Sequence, residues 1–234
     1  HEKSAVNIVE SVESADAKIL SLFKDYLRFG YFPYFLDYKD ESIYHITLEQ
    51  SIHTTIESDL LSVYHELSGR SIQKLKKLLT VISESVPFTP DMNRLKKLVE
   101  IGDERTLKDY LKYLEDGGTI IALPKSGSGL RGMRKPEKIY LHNTNQIYAI
   151  SGRGKENKGN IRETFFAGML GGIHQVSAPK RGDFFVDGSY TFEIGGRNKG
   201  FEQIKGVPDS YLVIDDIETG IGKKIPLWLF GFLY

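Results

Sequence analysis

Residues 182–200 read GDFFVDGSYTFEIGGRNKG. Two short alternating runs, DFFVD and YTFEI, are bounded by glycines, so the stretch predicts a β-hairpin. Each run carries an acid, Asp183 in the first and Glu193 in the second. Alternation along TFEIGG puts residues 193 and 195 on one face of the strand. An acid on each of two adjacent strands can hold a hard divalent cation against a phosphate. A lysine two residues after the second acid would add an ammonium to stabilise developing charge. Position 195 is glycine. Three readings stand open: the lysine has moved to Lys199, it has been lost, or it never belonged to a site.

Outward from this stretch the order of elements is informative. Upstream, NIRETFFAGMLGGIH (160–174) predicts a helix with Ile161, Phe165, Phe166, Met169 and Ile173 apolar. The run QVSA follows, then the hairpin, a short helix at KGFEQIKG and a strand at SYLVID. A strand, a short helix and a second strand suggest a parallel crossover and hence a mixed sheet. KIPLWLFGFLY is expected to close the chain as a buried strand, and residues 143–159 to form a junction.

Residues 69–142 have a different rhythm. SIQKLKKLLTVISESV sets Ile72, Leu75, Leu79, Ile82 and Val86 on one stripe. Asp91 and Asp103 are placed to cap two further helices, MNRLKKLVEIG and ERTLKDYLKYLEDGG. The β-like runs TIIALP and KIYLH follow, joined by the basic, glycine-rich KSGSGLRGMRKPE. Three helices and a hairpin with a long loop are the winged helix-turn-helix pattern. Residues 1–66 read mainly as helices around the aromatic stretch YFPYFLDY.

Composition bounds the rest. The 234 residues are 40% hydrophobic and 12% aromatic, enough to bury a core. Cysteine is absent, so neither a disulfide framework nor a thiolate metal site is available. That fits a reducing, cytoplasmic setting. The longest apolar run, IPLWLFGFLY, is about half of what a membrane span needs. The chain starts at His1 without Met, which points to a cut or boundary there. Net charge is zero but uneven: −7 over residues 1–66, +8 over 67–160 and −1 over 161–234. The middle third is therefore the expected face for an anionic polymer.

The chain resembles the C-terminal part of a group of prokaryotic AAA-type ATPases. In these a winged helix and a restriction-endonuclease-like module of unknown function follow the ATP-binding domain. YLRFGYFPYF, LKDYLKYLEDGGTIIALP, KIYLHNTNQIYAI, GNIRETFFAGML, GDFFVDGSYTFEIGGRNKG, IDDIETGIG and IPLWLFGFLY carry the likeness. The resemblance implies a cytoplasmic, ATPase-linked protein whose last third has the nuclease-like fold. Its site would take a Glu from the first helix, an Asp from the second strand and a Glu-x-Lys from the third. These fall on Glu163, Asp183, Glu193 and Gly195, with Lys199 the candidate replacement for the lysine. No Gly-Lys-Ser/Thr occurs, so ATP would bind only through an upstream domain.

For DNA, the third helix of the winged module offers Lys108 and Lys112 beside Arg105, but that segment is net acidic. The wing carries Lys125, Arg131, Arg134, Lys135 and Lys138. Backbone contact led by the wing is expected, with little sequence readout. The expectation is a mixed α/β (α+β) chain: a helical segment at 1–66, a winged helix at 67–142 and a nuclease-like module at 143–234. Its favoured role is a DNA- or protein-binding output region of an ATPase, with a degenerate site that holds magnesium weakly, if at all, through Asp183 and Glu193. An active magnesium-dependent nuclease using Asp183, Glu193 and Lys199 is one alternative, and a pure protein-interaction module another.

Overall fold

The computed structural model describes residues 1–84, 87–127, 136–151 and 157–233. The chain is a mixed α plus β fold: helices dominate the first two thirds, and the last third holds a five-stranded sheet. Arg131, Arg134, Lys135 and Val86 lie outside the described residues.

The first layer is helical. Helices α1 (Glu2–Ser14) and α2 (Ile19–Asp25) lead into a π-turn, Tyr26–Gly30. Of the expected apolar face, Ile19, Phe23 and Leu27 are buried. A 3₁₀ turn, Pro33–Asp37, carries the aromatic stretch, where Phe32 stacks on Tyr34 and Tyr34 meets Tyr44. Phe32 and Tyr34 are half-buried, Tyr44 is fully buried and Leu36 is exposed. Helix α3 (Glu41–Thr54), capped by Asp40 at Ser42 N, passes through a second π-turn into α4 (Leu60–Val63).

Helices α5 (Gly69–Ser83), α6 (Met92–Val99) and α7 (Glu104–Asp116) follow. Asp91 and Asp103 cap α6 and α7 as their positions predict. Strands β1 (Ile120–Leu123) and β2 (Lys138–Leu141) pair antiparallel, with Leu123 opposite Lys138 and Ile121 opposite Tyr140.

Part of the expected junction is helical. Helix α8 (Thr144–Ser151) begins with Asn143, Thr144, Asn145 and Gln146 all buried. Asn145 accepts from Tyr31 N at 3.0 Å and Tyr44 OH at 2.6 Å, and donates to the carbonyls of Tyr26 and Leu27. It therefore satisfies backbone groups that the π-turn leaves over. Asn145 thus ties the start of α8 to the first layer, where the sequence alone predicts a junction.

Helix α9 (Lys158–Gly171) is the centre of the molecule. One side meets the first layer, with Phe165 edge-on to Phe23 at 4.9 Å. Its other side meets the sheet, where Phe166 touches Phe184, Phe192 and Phe230. Gly168 permits a close approach: a Cβ there would lie 2.9 Å from the His142 carbonyl. Ile173 falls beyond the helix and is exposed.

The sheet order is β3 (Val176–Ser177), β4 (Phe184–Val186), β5 (Tyr190–Gly195), β6 (Ser210–Ile214), β7 (Lys224–Pro226). The first three strands run antiparallel, and β5, β6 and β7 are parallel. The expected crossover after β5 is present, with a 3₁₀ turn at Glu202–Ile204. The C-terminal apolar run is only partly a strand: after Pro226 it becomes a 3₁₀ turn, Leu227–Phe232, with Trp228 and Phe230 buried. One continuous core links all three expected segments.

Candidate functional site

Sheet pairing brings the two acids of the hairpin together. Asp183 stands at the entry to β4, and its amide donates to the Phe192 carbonyl at 2.9 Å. Its Oδ2 accepts from Ile194 N at 2.8 Å, which fixes the carboxylate against β5. Glu193, inside β5, is fully buried. Glu163 reaches the same region from α9, where its Oε2 accepts from Tyr140 OH at 2.7 Å. The Asp183 charge therefore acts on both Glu163 and Glu193.

Lys199 completes one side. The turn after β5 is closed by Lys199 N donating to the Gly196 carbonyl at 2.9 Å. That turn returns the side chain over the strand it has left. Lys199 Nζ lies 2.5 Å from Glu193 Oε1 and donates to Gln203 Oε1 at 3.0 Å. Its contact with Glu193 Oε1 is an ion pair, and the buried Glu193 Oε2 has no hydrogen-bond partner. Gly195 makes room for it: a Cβ at 195 would meet Lys199 Cγ at 2.3 Å and Cβ at 2.4 Å. The volume of a side chain at 195 is filled by the Lys199 stem. Arg197, nearer in sequence, is exposed.

A residue from outside the sheet completes the other side. Lys138 was expected on the DNA-facing wing. Its Nζ instead stands 3.6 Å from Glu163 Oε2 and 3.6 Å from Asp183 Oδ1. The ammonium also lies 5.9 Å from the centroid of the Phe184 ring. Lys138 and Tyr140 alternate along β2, so both point at the carboxylates. Alternation in KIYLH places them on a common face, but nothing in the sequence says what that face meets.

Burial governs the protonation. It pushes the Glu163 carboxyl above its usual range, with the Asp183 charge adding to the rise and Lys138 and Tyr140 opposing it. Glu193 is likewise raised by burial; Lys199 opposes this and Asp183 reinforces it. For Lys199, burial alone would lower the ammonium, but contact with Glu193 and the charges of Asp183 and Glu163 outweigh it. The net shift is upward, so Lys199 remains a cation at neutral pH.

The donor set is hard oxygen from Glu163, Asp183 and Glu193, which suits magnesium or manganese. The buried, unpartnered Glu193 oxygen and the excess of carboxylates over ammoniums fit such a cation. In the present arrangement no group of three or more His, Asp or Glu is placed to hold one jointly, among the described residues.

The other expected positive residues are mostly committed locally. Lys108 pairs with Glu104 and Lys112 with Asp116, each at 2.6 Å. Between α7 and the hairpin lies an open groove of about 700 Å³ whose charged lining is mixed, with Asp109 and Glu115 beside Arg105, Lys108 and Lys112. Lys125 leads from β1 into a bridge with Ala178, where Ser126 N donates to the Ala178 carbonyl. Asp215 and Asp216 directly follow β6. Both take Arg162, at 2.8 and 3.6 Å, as a structural clamp.

Residues 20–157 match the family described as a domain of unknown function, DUF8612. This is more than half of the chain, and the chain belongs to that family. The matched region runs across the expected boundary at residue 66 and ends before α9, so it includes Lys138 and Tyr140 but not Glu163, Asp183, Glu193 or Lys199. No curated protein and no solved structure matches the chain significantly. Among the described residues no helix is long and apolar enough to cross a membrane.

Proposed function

We propose that this chain is a nucleic-acid-processing module, a winged helix joined to a nuclease-like site that hydrolyses phosphodiesters with a divalent cation. The observation that carries this reading is the 2.5 Å approach of the Lys199 ammonium to Glu193, over a glycine that leaves it room. It favours a moved lysine over a lost one.

Glu163, Asp183 and Glu193 would hold the cation, which when bound supplies Lewis-acid polarisation of a phosphate. Lys199, kept protonated by its surroundings, acts as a fixed positive charge beside the phosphate oxygens and not as a base. Asp183, anchored by Ile194 N, sets the orientation of the site relative to β5. Overall, water oxygen bonds to phosphorus, the bond to the departing sugar oxygen breaks, and a proton passes to that oxygen. An ATP-driven upstream domain, implied by the family resemblance, would be the natural partner of such a module.

A second reading keeps the same fold without chemistry, as a DNA- or protein-binding output region. It is favoured by Lys138, whose ammonium stands between two of the three carboxylates. Incubation of the full chain with single-stranded, linear duplex and supercoiled DNA, in magnesium, manganese or chelator, separates the two. The hydrolase reading expects metal-dependent nicking that Asp183→Asn removes. Intact DNA under all conditions leaves the binding reading.

A further inference from the structure

The carboxylate cluster has a resident positive group that the hydrolase reading does not use. Lys138 arises from β2, in the first two thirds of the chain, yet its ammonium sits equidistant from Glu163 Oε2 and Asp183 Oδ1. Tyr140, two residues on, hydrogen-bonds the same Glu163 oxygen. Lys138 is only 23% exposed. The hairpin bearing it is held on two sides, by the close pass of His142 over Gly168 and by the Ala178 bridge.

Charge balance states what the ammonium does. Three carboxylates face two ammoniums, and one of them, Glu193, is fully buried with an unpartnered oxygen. An excess negative charge in a low-dielectric site is costly. Replacing Lys138 with a divalent cation removes the excess; keeping Lys138 and adding the cation overshoots it and crowds two positive groups between the same oxygens. Both Lys138 contacts are long for hydrogen bonds, so they hold the side chain by charge and not by geometry. Its unbranched stem can leave by rotation alone, without moving β2.

We propose that Lys138 is a built-in competitor for a divalent cation, holding Glu163 and Asp183 when no metal is bound and swinging out when one binds. This rests on the reading of the three carboxylates as a cation site, but not on that site cutting DNA.

The test is direct binding of Mn²⁺ to the full chain, followed by the loss of the free-ion resonance signal. If Lys138 occupies the site nine-tenths of the time or more, Lys138→Met, which keeps the stem, binds at least about tenfold more tightly than wild type. Lys138→Arg keeps the charge and remains within about threefold of wild type. Adding Asp183→Asn to Lys138→Met abolishes the gain. Lys138→Gln repeats the comparison if methionine disturbs the melting temperature. Unchanged or weaker Mn²⁺ binding in both neutral variants overturns the proposal, as does a gain that survives Asp183→Asn. Tighter Mn²⁺ binding without DNA cleavage would sink the hydrolase reading and leave this one standing.

Discussion

Lys199 and Gly195 share one space. The lysine stem runs over the glycine so closely that a Cβ at 195 would lie 2.3 Å from Lys199 Cγ. Gly195→Ala must therefore push the lysine off Glu193. On the hydrolase reading this lowers the cleavage rate by about a hundred- to a thousandfold, the cost of losing one preorganised electrostatic group. Single-turnover rates on supercoiled DNA check it. A rate within a few-fold of wild type would mean that Lys199 has no part in the chemistry.

Asn145 is expected to be the most sensitive polar residue in the fold. Its side chain bonds Tyr31 N, Tyr44 OH and the carbonyls of Tyr26 and Leu27. Asn145→Ala leaves buried donors and acceptors without partners, at about 3 kcal/mol in total after local relaxation. Urea denaturation measures it. A loss below about 1 kcal/mol would show that water replaces the side chain.

Glu163 gives a pH signature. Its carboxyl titrates above the ordinary value of 4.5 in the folded chain, chiefly through burial. Between that value and the raised one, the folded state holds a proton that the unfolded state has released. Stability therefore falls as pH rises through this window. Glu163→Gln cannot titrate, so the variant gains stability relative to wild type as pH rises from about 4 to 7. Carboxylates held below their usual range, such as Asp103 and Asp187, act the other way in both proteins and cancel in the difference. Urea midpoints across this range test it; parallel curves for the two proteins would contradict the placement of Glu163.

Much of the architecture was legible because it follows from local rules. The apolar spacing of α5 and α7, the caps at Asp91 and Asp103 and the alternation of β4 and β5 are written in short stretches. What could not be read depends on distant partners. Residues 143–159 read as a junction because the partners that fix Asn145 lie in the π-turn at Tyr26–Gly30, 119 and 118 residues upstream. Lys138 looked like a wing cation because its acids lie 25 and 45 residues downstream and meet it only through the packing of α9 against the hairpin. Lys199 was the intermediate case. Its position was suggested by the gap at 195, but whether its ammonium reached Glu193 depended on the turn at Gly196.

The central claim, that Lys199 stands in for the lysine missing at 195, is tested most directly by moving the lysine back. Lys199→Gly removes both the ammonium and the Cβ that lies 2.4 Å from the space above Gly195. Alanine at 199 would keep that obstruction. Metal-dependent DNA cleavage is then compared in wild type, Lys199→Gly, and Lys199→Gly combined with Gly195→Lys. The account predicts cleavage in wild type, a fall of about a hundredfold or more in the single variant, and recovery of at least about tenfold in the double. Equal cleavage by wild type and Lys199→Gly, or none by any of the three, would contradict it.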